Sequence, residues 1–188
     1  MSNVIQYVTI ASTGNGTDFG DLLSSNRDFC GTSSTTRGLF MGHGDSGTTN
    51  RIQYITIASL GDAIDFGDLT VGRSLSGSAV SSATRAVCGG GKNGSTVLNT
   101  LDYVTIASTG NATDFGDLVY PRQDHAAASS KITGVFGGGR ISSGGVSNSA
   151  TIDAITIAST GNATDFGDLT SAYGHAQRGL SNSHGGIS

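Results

Sequence analysis

The sequence predicts an all-β protein assembled from four copies of one sheet unit. Three observations carry that expectation. Glu is absent and Lys occurs twice in 188 residues, while 30 are Gly, so the residues that usually fill helix surfaces are scarce. Four stretches of the chain repeat almost unchanged. Within each stretch apolar and polar residues alternate with the two-residue period of a strand.

The repeated blocks read YVTIASTGNGTDFGDL (7–22), YITIASLGDAIDFGDL (54–69), YVTIASTGNATDFGDL (103–118) and AITIASTGNATDFGDL (154–169). Their phenylalanines, Phe19, Phe66, Phe115 and Phe166, lie 47, 49 and 51 residues apart, yet the step from the leading Tyr7, Tyr54, Tyr103 or Ala154 to that Phe is always 12. Length variation therefore falls between blocks, in loops.

Each element has a physical reason. YVTIAS is a strand with Val8 and Ile10 on one face and Tyr7 and Thr9 on the other, and its β-branched content suits a pleat. The expected core is the repeated Ile10, Ile57, Ile106 and Ile157 with the four phenylalanines. TGNG or TGNA supplies residues that tolerate positive φ in a hairpin turn. DFGDL returns as a partner strand, its Gly allowing close backbone approach. A small-residue stretch such as SLSGSAVSSAT (74–84) makes a third strand. An apolar run into glycines makes a fourth: TTRGLFMGHG (35–44), ATRAVCGGG (83–91) and KITGVFGGG (131–139). Variable inserts follow the glycines, near 43–51, 91–100 and 139–151.

About four strands per period match a propeller blade of the kelch kind, near 50 residues. The expected architecture is one domain over 1–188, a small β-propeller of about four blades of ~48 residues. The last block is followed by TSAYGHAQRGLSNSHGGIS, which stops within the glycine-rich element, and the chain starts on the strand that should come next. Pairing of the N- and C-terminal strands would complete a fourth blade and remove two sheet edges. The alternative is the same pairing between chains, giving a larger ring or a filament.

The strings YVTIASTGNATDFGDL (103–118), TRGLF (36–40) and GVFGGG (134–139) resemble kelch-like repeats of virion structural proteins from tailed bacteriophages, marine ones in particular. The resemblance covers nearly the whole chain. It implies a propeller or kelch-like protein of the tail, fibre or capsid surface, and specifies no ligand. Ala154 in place of the leading Tyr, and LGDAI at 60–64, depart from the pattern.

Composition narrows the function. A net charge of −4 and a pI near 5.3 leave no basic footprint for phosphate neutralisation, so no nucleic-acid partner is expected. No apolar run approaches the ~20 residues of a membrane span, and MSNVIQYVTI lacks the basic and apolar segments of a secretory signal. The expectation is a soluble protein made in the host cytoplasm without export. Cys30 and Cys88 sit at non-equivalent repeat positions, which favours two small buried apolar residues over a disulfide framework.

DFG occurs four times without a catalytic HRD loop or strand lysine, so it is architecture rather than a kinase motif. Asp18, Asp65, Asp114 and Asp165 are one candidate set for a cation ring around a channel. Asp21, Asp68 and Asp117, with Arg27, Arg73 and Arg122 four or five residues after each DFGDL, are candidates for blade-to-blade ion pairs, with Tyr173 at the fourth place. His43, His125, His175 and His184 occupy non-equivalent positions, form no HxH or HxxxH pair and are expected in loops. No GxSxG elbow is present, and CGGGKNGS (88–95) misses the phosphate-loop spacing. The copper, Tyr, Cys and His centre of oxidase-type kelch propellers has no match at Cys30 or Cys88. The glycosylation-like NGT, NGS and NAT triplets read as turns.

The expected function is a non-enzymatic virion structural protein without a cofactor or resident metal, contacting other virion proteins and copies of itself. The alternatives are an adsorption module for a host-surface glycan or protein, and a self-assembling filament.

Overall fold

The computed structural model describes residues 2–25, 27–44, 47–74, 78–141, 147–174 and 179, with the backbone alone at 43 and 44. All regular structure among them is β. The first unit is a hairpin of β1 (Val4–Tyr7) and β2 (Thr17–Asp21). The second is a four-stranded antiparallel meander of β3 (Cys30–Ser33), β4 (Arg37–Gly44), β5 (Thr48–Thr56) and β6 (Ile64–Arg73). The third repeats it with β7 (Ser78–Ser81) and β8 (Arg85–Gly89). A small hairpin, β9 (Lys92–Asn93) and β10 (Thr96–Val97), precedes its last two strands, β11 (Thr100–Thr105) and β12 (Thr113–Asp117). The fourth contains β13 (Ala126–Ser129), β14 (Thr133–Gly137), β15 (Ser149–Thr156) and β16 (Thr164–Tyr173).

Each sequence block is thus the closing hairpin of a sheet, and the small-residue and glycine-rich elements after it open the next sheet. The variable inserts join second to third strands, as in β9–β10. No barrel or ring closes among the described residues. The segment expected to complete the first blade, 175–188, lies outside them except for Gly179.

Consecutive sheets stack, and each layer of the contact has a cause in sequence. The small first strands lie side by side. Thr32 Oγ1 donates to Ser81 Oγ at 2.8 Å, Ser81 Oγ to Ser33 O at 2.8 Å and Ser129 Oγ to Ser81 O at 3.1 Å. Larger side chains there would hold the strands apart. In the middle, Val104 and Ile106 join Phe66 and Leu69 in one core cluster, and Ile155 and Ile157 join Phe115 and Leu118 in the next.

At the outer edge the DFG motif does its structural task. In every unit the ladder shifts register at the Phe, for example from Leu101↔Gly116 to Asp102↔Asp114. The bulge leaves the Phe outside its own ladder and turns its carbonyl outward. The TGNA-type loop of the next unit fills that edge: Gly61 N donates to Phe19 O, Gly110 N to Phe66 O and Gly161 N to Phe115 O at 2.7–2.8 Å. Ala63, Ala112 and Ala163 N donate to Asp21, Asp68 and Asp117 O at 2.7–2.8 Å. In return the N–H of each of those aspartates donates to Asp62, Asn111 or Asn162 Oδ1 at 2.9–3.1 Å. Gly20, Gly67 and Gly116 have φ near +140°, and a Cβ on any of them would lie 2.4–2.5 Å from the next loop's backbone. Only glycine fits both constraints.

The expected core is realised inside the stack and not at its ends. Phe19, Phe66 and Phe115 are at most 8% exposed, and Ile106 and Ile157 at most 1%. Phe166 is 65% exposed, Ile10 96% and Ile57 44%. This corrects the fourfold expectation: burial of each copy comes from the neighbouring unit. Among the described residues no loop covers β16, and the first-unit hairpin offers Ile57 two strands.

Gly67→Ala should destabilise the chain by about 3 kcal/mol, combining strain at positive φ with a backbone clash. Gly167→Ala, with the same φ and no neighbour, should cost only about 1–2 kcal/mol. Denaturant unfolding at a concentration where the chain is monomeric compares them, and equal losses would remove the loop contact from the account.

Candidate functional site

The polar side chains with the most chemical potential lie buried between units. Arg73 leaves the end of β6 and crosses to the third sheet. There it donates to Gly90 O at 2.9 Å and Thr100 O at 3.1 Å and pairs with Asp102, which also accepts from the Thr70 hydroxyl. Arg122 does the same one unit later, with Thr151 O at 2.9 Å and Asp153 Oδ1 at 2.9 Å. All four side chains are at most 2% exposed. Burial pushes the Asp102 and Asp153 carboxyls up against the pull of their arginines, and lowers Arg122.

Two of the three expected arginines make ion pairs between successive sheets, with partners other than Asp68 and Asp117. Those aspartates, like Asp21, work through their backbone at the loop contact. Arg27 instead lies 3.8 Å from Asp28 at an accessible site. Its junction carries buried Gln53, whose Oε1 accepts from Leu23 N at 2.9 Å. In the third junction Asp153 Oδ2 accepts from Val119 N, the equivalent position, at 2.9 Å. In the second, third and fourth units the residue before the block leader, Gln53, Asp102 or Asp153, is therefore the receiving group, and sequence reading passed over it.

The candidate cation ring does not assemble. Asp18, Asp65, Asp114 and Asp165 are exposed on the outermost strands, where Asp114 and Asp165 Oδ1 accept from the N–H of Gly116 and Gly167. Among the described residues no three His, Cys or Asp side chains come together. His175 and His184 lie outside those residues, and His43 is described by its backbone alone. His125 is not in a solvated loop: it is 1% exposed beside Phe136, and burial, with Arg122 and Arg73 nearby, pushes it down to about 3. Cys30 and Cys88 are buried free thiols with sulfurs 2.7 Å apart. Contact with Cys88 and burial raise Cys30, while Cys88, accepting that contact, is lowered.

One cleft, of about 270 Å³, lies on the face of the fourth unit, lined by Thr133, Ala154, Thr156, Asn162 and Phe115 among others. Its origin is a paired replacement. In the second and third units Arg37 and Arg85 stack over Tyr54 and Tyr103, 4.5 and 4.3 Å from the ring centroids. Their Nη1 atoms donate to Ile106 O and Ile157 O of the following unit at 2.8 and 3.1 Å. Thr133 and Ala154 occupy those two positions in the fourth unit, so the departure at Ala154 is half of a lost Arg–Tyr pair.

No family model matches the chain, and no curated protein matches it.

Asp153→Ala should cost about 3–5 kcal/mol by leaving Arg122 charged and unpaired in the interior, whereas Arg122→Met/Asp153→Leu should fall within about 1–2 kcal/mol of wild type. Urea unfolding of both variants separates the two outcomes.

His125 is neutral in the fold, so below pH ~6.5 the unfolded chain binds a proton that the folded chain takes up only near pH 3. Stability above pH 6.5 is unaffected. From there downward it should fall by about 1.4 kcal/mol per pH unit relative to His125→Leu. Comparing the two cancels the opposite contribution of the raised Asp102 and Asp153, and parallel pH profiles would contradict the buried neutral imidazole.

Proposed function

We propose that the protein is a non-enzymatic structural component of a tailed-bacteriophage particle, placed on the capsid surface or in the tail or fibre. It works through contacts with other virion proteins and with copies of itself. One observation carries the reading most: the buried Arg–Asp pairs are engaged in unit-to-unit packing. Arg73, Arg122, Asp102 and Asp153 are buried in ion pairs between units, while apolar groups stand exposed at both ends of the stack. The resemblance of the repeated blocks to virion proteins supplies the particle. The finer architecture that this reading favours is a kelch-like, propeller-type stack of about four ~48-residue blades.

The test is its location in purified particles, by mass spectrometry and labelled antibody in electron micrographs. Many copies on the head or along the tail are the expected result. A few copies confined to the tail tip would favour host adsorption through a surface glycan or protein, and absence from purified particles would overturn the proposal.

A further inference from the structure

Every internal junction joins two complementary surfaces, and among the described residues the stack leaves one of each without a partner. On the fourth unit, β16 keeps the receiving edge. Gly167 has a φ of +141°, as in the other three copies, yet a Cβ there would meet no atom within 4 Å. Among the described residues no loop donates to Phe166 O or Asp168 O. The Phe166 ring, buried in its three counterparts, faces solvent, and the cleft beside Thr133 and Ala154 opens on the sheet face that meets the next unit elsewhere in the stack.

The first unit keeps the matching surface. Gly14-Asn15-Gly16 aligns with the docked Gly61-Asp62-Ala63, Gly110-Asn111-Ala112 and Gly161-Asn162-Ala163. Val8 and Ile10 are 59% and 96% exposed, where Val104, Ile106, Ile155 and Ile157 are buried. Gln6 is exposed, where Gln53, Asp102 and Asp153 are buried receivers. Gly14 lacks the φ near +150° that Gly61, Gly110 and Gly161 share, so the free loop has a different backbone from the docked ones, whereas the receiving edge is already in its docked form.

We propose that the first unit of one copy docks head to tail on the fourth unit of a second copy of this chain, remaking the internal junction between molecules. Gly14 N would donate to Phe166 O, Gly16 N to Asp168 O, Asp168 N to Asn15 Oδ1 and Thr170 N to Gln6 Oε1. Val8 and Ile10 would cover Phe166 and Leu169 and enter the cleft that the lost Arg–Tyr pair leaves. The occupant is a second copy because the three internal junctions show which surface the edge takes, and because both surfaces of one chain stay exposed in its own fold. The contact is heterologous, so it builds rings or filaments. It stands whatever particle the protein belongs to.

The test uses the full chain carrying Asn15→Cys, the full chain carrying Asp168→Cys, and an equimolar mixture treated with a short bismaleimide. Both positions are exposed, and Cys30 and Cys88 are buried. The mixture should give a two-chain product, linked between positions 15 and 168 in its peptide map, at least about tenfold above either variant alone. Wild type should sediment as concentration-dependent oligomers, with Gly167→Val and, independently of any strain at that glycine, Ile10→Ser each weakening association by about tenfold or more. A chain carrying both cysteines that links within itself to a compact monomer would overturn the proposal in favour of a closed ring. So would a mixture no better linked than its components, or a wild-type monomer at every concentration.

Discussion

The structure depends on one contact, in which a bulged edge strand is covered by the turn of the following unit. An edge strand presents unpaired N–H and C=O groups, and a stack of separate sheets would multiply that liability. Here the bulge at Phe19, Phe66 or Phe115 aims a carbonyl outward, the adjacent Gly removes the Cβ that would block approach, and three hydrogen bonds per junction satisfy the edge. The invariant 12-residue step inside each block follows from this. Turn and bulge are both fixed by contact with neighbouring units, so residues cannot be added between them without losing a junction. The connection between second and third strands touches no junction, and there the chain accommodates the β9–β10 hairpin.

A second layer of the same contact is ionic, and it behaves as a unit. Arg73 with Asp102, and Arg122 with Asp153, bury opposite charges beside carbonyls that accept from Nη1, while the Nε of each arginine is buried without a partner. Removing one member would strand the other as an unpaired buried charge. The first junction meets the same geometric need with neutral Gln53, and there no arginine enters: Arg27 sits one residue further along and stays outside. The Arg37–Tyr54 and Arg85–Tyr103 stacks are likewise kept together or replaced together, as Thr133 and Ala154 show.

Much of this was legible in the sequence. Alternation, the strength of the repeat and the scarcity of helix-forming residues gave the strands, their order and the loops where length varies. The DFG glycine was read as a site of close approach, which it is. The errors share a cause. Asp68 and Asp117 were expected to pair with the arginines because both sets recur with the block, whereas the true partners, Asp102 and Asp153, stand about 30 residues beyond Arg73 and Arg122, in the next sheet. Phe166 and Ile10 were assigned to the core by analogy with their copies, but a repeat in sequence does not give an end unit a neighbour. His125 has no counterpart in other units, so periodicity carried no information about it.

The two ends of the stack are matched in shape but not equal in strength to an internal junction. Between the second and third units a copy gains three backbone-edge bonds, an Arg–Asp pair, an Arg37 bond to a following carbonyl and an apolar layer sealed by Tyr54. An incoming first unit would meet Tyr173 and Thr133 where those arginines stand, and would itself bring Gln6 where the carboxylate stands and Gly16 where a methyl group packs. The edge bonds and the contact of Val8 and Ile10 with Phe166 remain, while every charged component is absent. A contact built this way has the geometry of the fold's own repeat and a smaller driving force, and its neutral composition makes it weakly dependent on salt. That combination suits a surface that must stay open while the chain is dilute and close when many copies are brought together.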